Sequence, residues 1–204
     1  MIGHDKKFIF IHIPKTGGTS LECGLEKYGI VHKGPRNYSS VYHKHVTAVR
    51  CKTMMGEQFE EYFRFTSVRN PWDWLVSNYE FNRGVGIPYI LNMPSMSAGI
   101  VPEWLKKMPF SEWLLWFVET MQPSQKKMIA DDAGTLLVNH IVRFEKLQND
   151  FEELCSVLAI PVVKLPRLVV TERKPYQYYY DDETIQLVEN TFFEDIRMFD
   201  YKYE

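Results

Sequence analysis

Two kinds of hydrophobic pattern alternate along this chain. Segments rich in apolar and β-prone residues, which are typical of strands, occupy residues 7–13, 62–68 and 136–144. The first of them is nearly continuous in apolar residues, as in a strand buried in a parallel sheet. In five other segments apolar residues recur every three or four positions, as on the buried face of a helix. These segments are residues 18–28, 71–82, 110–121, 145–158 and 181–199. Strands that alternate with helices predict a three-layer α/β fold, in which helices flank a central parallel sheet.

The first predicted strand runs directly into a short polar loop that precedes the first predicted helix. The loop consists of Pro14, Lys15, Thr16, Gly17, Gly18, Thr19 and Ser20. Unpaired backbone N–H groups at a helix start favour an anion, and two glycines let the backbone approach a tetrahedral oxyanion closely. Lys15 adds a positive charge, while the hydroxyl side chains add hydrogen-bond donors. The sequence therefore predicts an anion site at the end of the first strand.

The order of residues in this loop differs from two common nucleotide-binding loops. In the loop of the nucleotide triphosphatases the lysine follows the glycines, whereas Lys15 precedes Gly17 and Gly18. No acidic residue is obviously placed to hold magnesium, and the spacing also differs from the three-glycine pattern of dinucleotide-binding proteins. A nucleotide kinase or another ATP-dependent phosphotransferase is therefore an alternative that the loop disfavours.

A second strand, turn and helix follow at residues 65–79. Arg69 stands at the predicted strand end, and Ser77 lies about two helical turns further on. Arginine presents a planar fork of donors that suits a phosphate group, although a salt bridge with Asp73 is the structural alternative. Because ligands of parallel sheets bind beyond the carboxyl ends of the strands, we expect Lys15 and Arg69 to converge on one nucleotide crevice.

The two motifs together resemble those of the sulfotransferases that use 3′-phosphoadenosine 5′-phosphosulfate (PAPS). Residues 14–20 are similar to that family's loop for the 5′-phosphosulfate, and Arg69-Asn70-Pro71 with Ser77 and Tyr79 is similar to its 3′-phosphate element. Both motifs are closer in form to the carbohydrate sulfotransferases of the heparan 2-O and chondroitin type than to the cytosolic phenol and steroid enzymes. Weaker similarities lie at residues 142–147 and 193–201.

The length of the chain predicts a single domain over residues 1–204. The resemblance implies a P-loop-like fold and transfer of a sulfuryl group from PAPS to an acceptor hydroxyl without a metal. It implies that Lys15 stabilises the oxygen that bridges sulfur and phosphorus, while Arg69 and Ser77 bind the 3′-phosphate. The remaining loop residues are implied to hold the 5′-phosphate through backbone and hydroxyl donors. These residues are Pro14, Thr16, Gly17, Gly18, Thr19 and Ser20.

Two further segments are similar to parts of the family's nucleotide site. Phe144 or Arg143, at the end of the last predicted strand, contacts adenine by this resemblance. Arg173 and Lys174 precede the last predicted helix and resemble a basic segment that closes over the 3′-phosphate. A plain solvated turn is the alternative for this pair, since such residues are common in surface loops.

A short segment with two histidines supplies the candidate base. The acceptor hydroxyl must lose a proton, and an imidazole suits a base near neutral pH. His43 and His45 alternate, so they would share a face on a strand, and their segment resembles the His-x-His of uronyl 2-O-sulfotransferases. By that match His45 is the base and His43 an acceptor contact or alternate base, although both also fit ordinary surface histidines. We expect His12 to be a core residue and Glu22 a solvated or structural one.

Composition narrows the expected partners. The chain has 204 residues and a net charge of −2, so no bulk attraction to nucleic acid or to an anionic membrane is expected. Three cysteines show no metal-binding spacing, and no apolar run approaches the length of a membrane span, so we expect a cytoplasmic protein. A non-catalytic nucleotide-binding module is the alternative from another functional class.

Residues 83–127 carry no recognisable motif of the family and predict an insertion that selects the acceptor. The expected acceptor is a small molecule or a saccharide. Trp104, Trp113 and Trp116 lie in this segment and are candidates either for core packing or for the acceptor pocket.

Overall fold

The structure is a computed structural model that describes residues 1–30, 44–85, 103–168, 170 and 172–204. Its strands form one four-stranded sheet in the order β1-β2-β3-β4. They are β1 (Ile2–Gly3), β2 (Phe8–Ile11), β3 (Phe63–Val68) and β4 (His140–Arg143). β2, β3 and β4 are parallel, with Phe10 opposite Phe65 and Phe65 opposite His140, while β1 pairs with β2 in the antiparallel sense. The predicted α/β fold with a largely parallel central sheet is confirmed.

Helices connect and flank these strands. The described α-helices are α1 (Gly18–Gly24), α2 (Ala48–Met55), α3 (Pro71–Val85), α4 (Glu103–Lys107), α5 (Phe110–Met121), α6 (Gln125–Ile129), α7 (Leu147–Val157), α8 (Asp182–Thr191) and α9 (Phe193–Phe199). Short 3₁₀ turns occupy Gly56–Glu61, Phe144–Lys146 and Tyr176–Tyr179. Within the described ranges, none of the helices is both long and apolar enough to span a membrane.

The chain divides into two compact units. The first comprises Met1–Arg69 and Gln125–Val169, and it contains the whole sheet together with α1, α2, α6 and α7. The second comprises Asn70–Ser124 and Val170–Glu204 and contains the remaining helices. The candidate anion loop and Arg69 both belong to the first unit.

The core of the first unit lies between one face of the sheet and two helices. Phe8, Phe10 and Phe65 project from this face because side chains alternate along a strand. They pack against α1 and α7, whose apolar residues recur at helical spacing. The buried apolar residues are Leu21 of α1, Leu25 directly after it, and Phe151, Leu154 and Cys155 of α7. Ile9 and Ile11 on the opposite face are also buried, as expected for strands covered on both sides.

The second unit is built around aromatic residues on α3 and α5. Trp113 is fully buried and lies against Tyr79, Phe110 and Phe117, with ring centroids 4.5 to 6.1 Å away. The single helix predicted for residues 181–199 is instead two helices that meet at Phe192. Phe192 is itself buried, so the apolar periodicity continues across the break and does not mark it.

Candidate functional site

The loop after β2 has an unusual backbone. Lys15 adopts φ 64° and Gly17 φ 83°, both in the left-handed region. Glycine enters this region without steric cost, whereas lysine does so only where surrounding contacts enforce it. The loop is therefore held in one particular conformation between β2 and α1.

Both glycines of the loop face the protein interior. A Cβ atom at Gly18 would lie 2.3 Å from the His12 imidazole, and one at Gly17 would lie 2.9 Å from Leu147 Cδ2 and 3.0 Å from Phe144 Cδ2. Gly18 has no room for a side chain, whereas one at Gly17 would require Leu147 and Phe144 to move and would strain the left-handed backbone there. The glycines thus permit close packing of the loop on the strand ends, a reason for their presence in addition to the predicted approach of an anion.

The hydroxyl groups of the loop are used in different ways. Thr16 is fully buried, and its hydroxyl lies 2.8 Å from both the Ile13 carbonyl oxygen and Ser67 Oγ, which links the ends of β2 and β3. Ser20 is also buried. Thr19 is partly exposed, and its Oγ1 accepts a hydrogen bond of 3.2 Å from Lys44 Nζ. The Thr16 hydroxyl is therefore used for hydrogen bonds inside the protein. The predicted contact of Thr16 with an anion would have to come from its backbone N–H group.

The Arg69 side chain lies against the anion loop. Its Nη1 donates to the Lys15 carbonyl oxygen at 3.0 Å, and its Cζ lies 3.8 Å from the centroid of the Phe144 ring. The guanidinium is buried, with the whole residue 6% exposed. The structure thus brings together Lys15, Arg69 and Phe144, three of the residues that the sequence predicted for the nucleotide site.

The backbone of Arg69 is fixed by Gln125, a residue that no sequence pattern predicted for the site. The Arg69 N–H donates to Gln125 Oε1 at 2.9 Å, and Gln125 Nε2 donates to the Arg69 carbonyl oxygen at 2.7 Å. The buried carboxamide thus makes the two backbone hydrogen bonds that a neighbouring strand would make, at the point where β3 ends. Gln125 follows Arg69 by 56 positions, so no local sequence pattern connects the two.

Ser77, Arg173 and Lys174 belong to the second unit. Ser77 is buried on α3. Arg173 forms an ion pair through Nη2 with the Asp73 carboxylate, and Lys174 Nζ lies 5.5 Å from the centroid of the Tyr178 ring. Asp73, which was the structural alternative as a partner of Arg69, is thus paired with Arg173. The 3′-phosphate assignment of these three residues stays a prediction.

His45 lies in a turn before α2, and the described residues 44–47 form no strand. Its Nδ1 lies 3.0 Å from the His12 carbonyl oxygen. A carbonyl oxygen only accepts, so Nδ1 carries the hydrogen and Nε2 carries the lone pair of the neutral ring. Burial lowers the pKa of His45 to about 3, which keeps the ring neutral near pH 7 and also makes it a much weaker base than a free imidazole. His43 lies outside the described residues.

A buried polar network lies beneath the loop. Glu22 Oε1 is 2.7 Å from His12 Nδ1, and Glu22 Oε2 is 3.0 Å from Lys44 Nζ. Burial alone would raise the pKa of Glu22, but the hydrogen bond from His12 and the charge of Lys44 outweigh it and lower the pKa to about 2. Burial also lowers the pKa of His12, so a neutral imidazole donates to a carboxylate. His12 is the core residue that we expected, and Glu22 is structural rather than solvated.

The tryptophans of the predicted insertion differ in exposure. Trp113 is a core residue, whereas Trp104 is 48% exposed and lies edge-on to Trp116 with ring centroids 5.9 Å apart. In the part of the chain that the structure describes, no group of three or more His, Cys, Asp or Glu side chains is arranged to hold a metal ion.

Comparisons with known proteins identify the family. A profile described as the sulfotransferase family matches residues 1–202. Mouse sulfotransferase SULT7A1, whose crystal structure is a complex with PAP, shares the fold with a TM-score of 0.56 over 97% of this chain and 87% of that chain. The two sequences are 14% identical, so this likeness establishes the fold alone. A search of the curated proteins finds no match. Because the profile spans nearly the whole sequence, the chain belongs to the sulfotransferase family.

Proposed function

We propose that this chain transfers a sulfuryl group from PAPS to a hydroxyl group of a saccharide acceptor. The observation that carries the proposal is the contact between the two candidate phosphate-binding motifs, in which the Arg69 guanidinium donates to the Lys15 carbonyl oxygen. A donor with phosphate groups at both the 3′ and the 5′ positions requires cationic groups from two strand ends in one crevice. Lys15 and Arg69 supply such groups from the ends of β2 and β3.

The conformation of the loop supports a binding role. A left-handed lysine costs about 1 kcal/mol relative to an ordinary conformation, and the structure holds it there through the contact with Arg69. In this assignment the loop residues 14–20 hold the 5′-phosphosulfate, with Thr16 contributing its backbone and Thr19 its hydroxyl. Phe144, which stacks under Arg69, contributes to the adenosine site.

The 3′ end of the donor is assigned to Arg69 and Ser77, with Arg173 and Lys174 as a basic segment that closes over the phosphate. Arg173 already has an anionic partner in Asp73. Its part in donor binding therefore requires exchange of a carboxylate for a phosphate, a substitution that suits a planar guanidinium.

The proposed reaction is an in-line displacement at sulfur. The acceptor oxygen forms a bond to sulfur, the bond from sulfur to the bridging oxygen breaks, and the hydroxyl proton passes to a base. Negative charge grows on the bridging oxygen, where the Lys15 ammonium stabilises it. His45 is the proposed base, since its Nδ1–H is held by the His12 carbonyl group and its Nε2 is the proton-accepting atom. His43 is proposed as an acceptor contact or as the alternate base.

The proposed saccharide acceptor rests on the resemblance of both motifs to carbohydrate sulfotransferases and on one feature of the predicted insertion. A half-exposed indole such as that of Trp104 offers a flat apolar face to a sugar ring. Trp113 is excluded from such a role because it is fully buried. We therefore place acceptor selection in residues 83–127, with Trp104 as a contact.

Calorimetry tests the donor first. We expect adenosine 3′,5′-bisphosphate to bind without magnesium and at least tenfold more tightly than ATP, because only the bisphosphate has a 3′-phosphate for Arg69. Transfer of labelled sulfate from PAPS to a panel of desulfated glycosaminoglycans and simple phenols then tests the acceptor. Stronger magnesium-dependent binding of ATP would support a phosphotransferase instead. Tight binding of the bisphosphate with no transfer to any acceptor would support a non-catalytic module.

A further inference from the structure

Lys44 makes two polar contacts beside the anion loop. Its Nζ is 3.0 Å from Glu22 Oε2 and 3.2 Å from Thr19 Oγ1, and its side chain is 34% exposed. A surface lysine with a single ionic partner gains little from it, because the long side chain loses conformational freedom. Lys44 instead lies between a buried carboxylate and a hydroxyl of the loop.

The Glu22 carboxylate holds Lys44 in place from below. Its side chain is 10% exposed, and its second oxygen accepts a hydrogen bond from His12 Nδ1 at 2.7 Å. The His12 ring is itself packed between Phe10, with ring centroids 5.4 Å apart, and Gly18 of the loop. Both oxygens of Glu22 are thus engaged, so the carboxylate provides a fixed anchor for the Lys44 ammonium.

The contact with Lys44 orients the Thr19 hydroxyl. An ammonium group has only donors, so Thr19 Oγ1 accepts in this hydrogen bond. The hydrogen of the Thr19 hydroxyl must therefore be directed away from Lys44, toward another acceptor. A hydroxyl that accepts from a cation is also a stronger donor, because the two hydrogen bonds polarise each other.

We propose that Lys44 is a second cationic residue of the donor site, anchored by Glu22, which orients Thr19 as a donor to the 5′-phosphosulfate and offsets the negative charge of Glu22 beside it. The proposal rests on the proposed function, because it needs a donor with a 5′-phosphate group. It also explains why a carboxylate lies beside an anion site. Glu22 would repel the donor on its own, but Lys44 neutralises it and carries an ammonium to the edge of the loop.

Lys44→Met tests the proposal through two ligands that differ only at the 5′ position. We expect the affinity for adenosine 3′,5′-bisphosphate to fall by about tenfold or more, the effect of losing a hydrogen bond to a charged group. The affinity for adenosine 3′-monophosphate should change less than twofold, because that ligand has no group for Thr19. Lys7→Met is the matched control, since Lys7 forms an exposed ion pair with Glu61 and should leave both affinities unchanged.

Two further variants separate orientation from charge. If Lys44 acts through Thr19, Thr19→Val in the Lys44→Met background should weaken binding of the bisphosphate less than it does in the wild-type background. Lys44→Arg should restore most of the affinity by retaining the charge. Should Lys44→Met fold poorly, because it leaves Glu22 buried without its cation, Lys44→Met combined with Glu22→Gln removes that charge and permits the same comparison of ligands.

Each result decides the matter. Equal losses of affinity for both ligands in Lys44→Met would mean that Lys44 only supports the fold. An unchanged affinity for the bisphosphate would mean that Lys44 plays no part in binding. Either result overturns the proposal about Lys44 and leaves the proposed function standing. Failure of the wild-type protein to bind the bisphosphate at all would overturn both. Two results together support Lys44 as part of the donor site. Lys44→Met should weaken binding of the bisphosphate alone, and its effect should not add to that of Thr19→Val.

Discussion

Arg69 Nη1 lies 3.0 Å from the carbonyl oxygen of Lys15, and this hydrogen bond joins the ends of two neighbouring parallel strands. The same guanidinium covers the ring of Phe144, which follows the third parallel strand. Three adjacent strands therefore contribute to one cluster at the carboxyl edge of the sheet, where α/β proteins bind their ligands.

Lys15→Ala should lower kcat by about 10²- to 10³-fold, with a much smaller change in KM for the acceptor. The reason is that the ammonium group acts on charge that develops only as the bond to sulfur breaks. Steady-state kinetics with PAPS in excess measure both constants. Lys52→Ala, which removes an exposed ammonium paired with Glu60, should be neutral. A turnover equal to that of the wild type would remove Lys15 from catalysis.

Arg69→Ala should weaken binding of adenosine 3′,5′-bisphosphate by about tenfold or more and reduce the preference for it over adenosine 5′-monophosphate, which lacks the 3′-phosphate. Isothermal calorimetry with the two nucleotides measures both effects, and the exposed Arg50→Ala provides a control. A variant that binds more weakly yet keeps the same preference would indicate that Arg69 supports the Lys15 loop and that the 3′-phosphate is bound elsewhere.

His45→Gln should reduce kcat by about 10²- to 10⁴-fold while the donor affinity stays within twofold of the wild type, as expected for loss of a general base. Single-turnover kinetics with saturating PAPS isolate the chemical step. His4→Gln, at an exposed histidine that contacts Tyr62, is the control. If His43→Gln alone slows transfer, the roles of the two histidines are exchanged.

The free energy of unfolding should fall as the pH is lowered from about 6.5 to 4.5. The pKa of His45 is about 3 in the folded chain and near 6.5 in the unfolded chain, so the unfolded chain binds more protons in this range. Lowering the pH therefore stabilises the unfolded state relative to the folded state. One such histidine contributes a slope of at most about 1.4 kcal/mol per pH unit. Urea titrations should give a smaller slope for His45→Gln, and equal slopes would contradict the burial of a neutral ring.

Gln125→Ala should lower the free energy of unfolding by about 2 kcal/mol, because the buried N–H and carbonyl groups of Arg69 lose their partners. It should also weaken nucleotide binding, since the position of Arg69 depends on these bonds. Chemical denaturation and calorimetry measure the two effects. Gln186→Ala, on the surface of α8, should change neither. A destabilised variant with normal nucleotide affinity would limit Gln125 to a structural role.

The sequence predicted the parts of this site that depend on local pattern. A buried strand followed by Lys15 and two glycines, and another followed by Arg69, predicted both the parallel sheet and the meeting of the two residues. The sequence did not predict contacts between residues that lie far apart in the chain. Gln125 and the pair of Glu22 with Lys44 have no periodicity or spacing that connects them to the loop. The break at Phe192 was not predicted because the apolar pattern continues across it. The strand β1 was not predicted because two residues are too few to show a pattern.

The packing behind the glycines has a consequence for attempts to engineer this enzyme. The space that a side chain would need at Gly18 is filled by the ring of His12, and the space at Gly17 by Leu147 and Phe144. Randomising the turn by itself would therefore strain the packing, because a side chain at Gly18 meets the His12 ring and one at Gly17 requires Leu147 and Phe144 to move. A library aimed at new donor analogues should spare the turn and vary Thr19, whose side chain is partly exposed. Where Lys44 is varied, Glu22 must be varied with it, because the buried carboxylate would otherwise lose its cation.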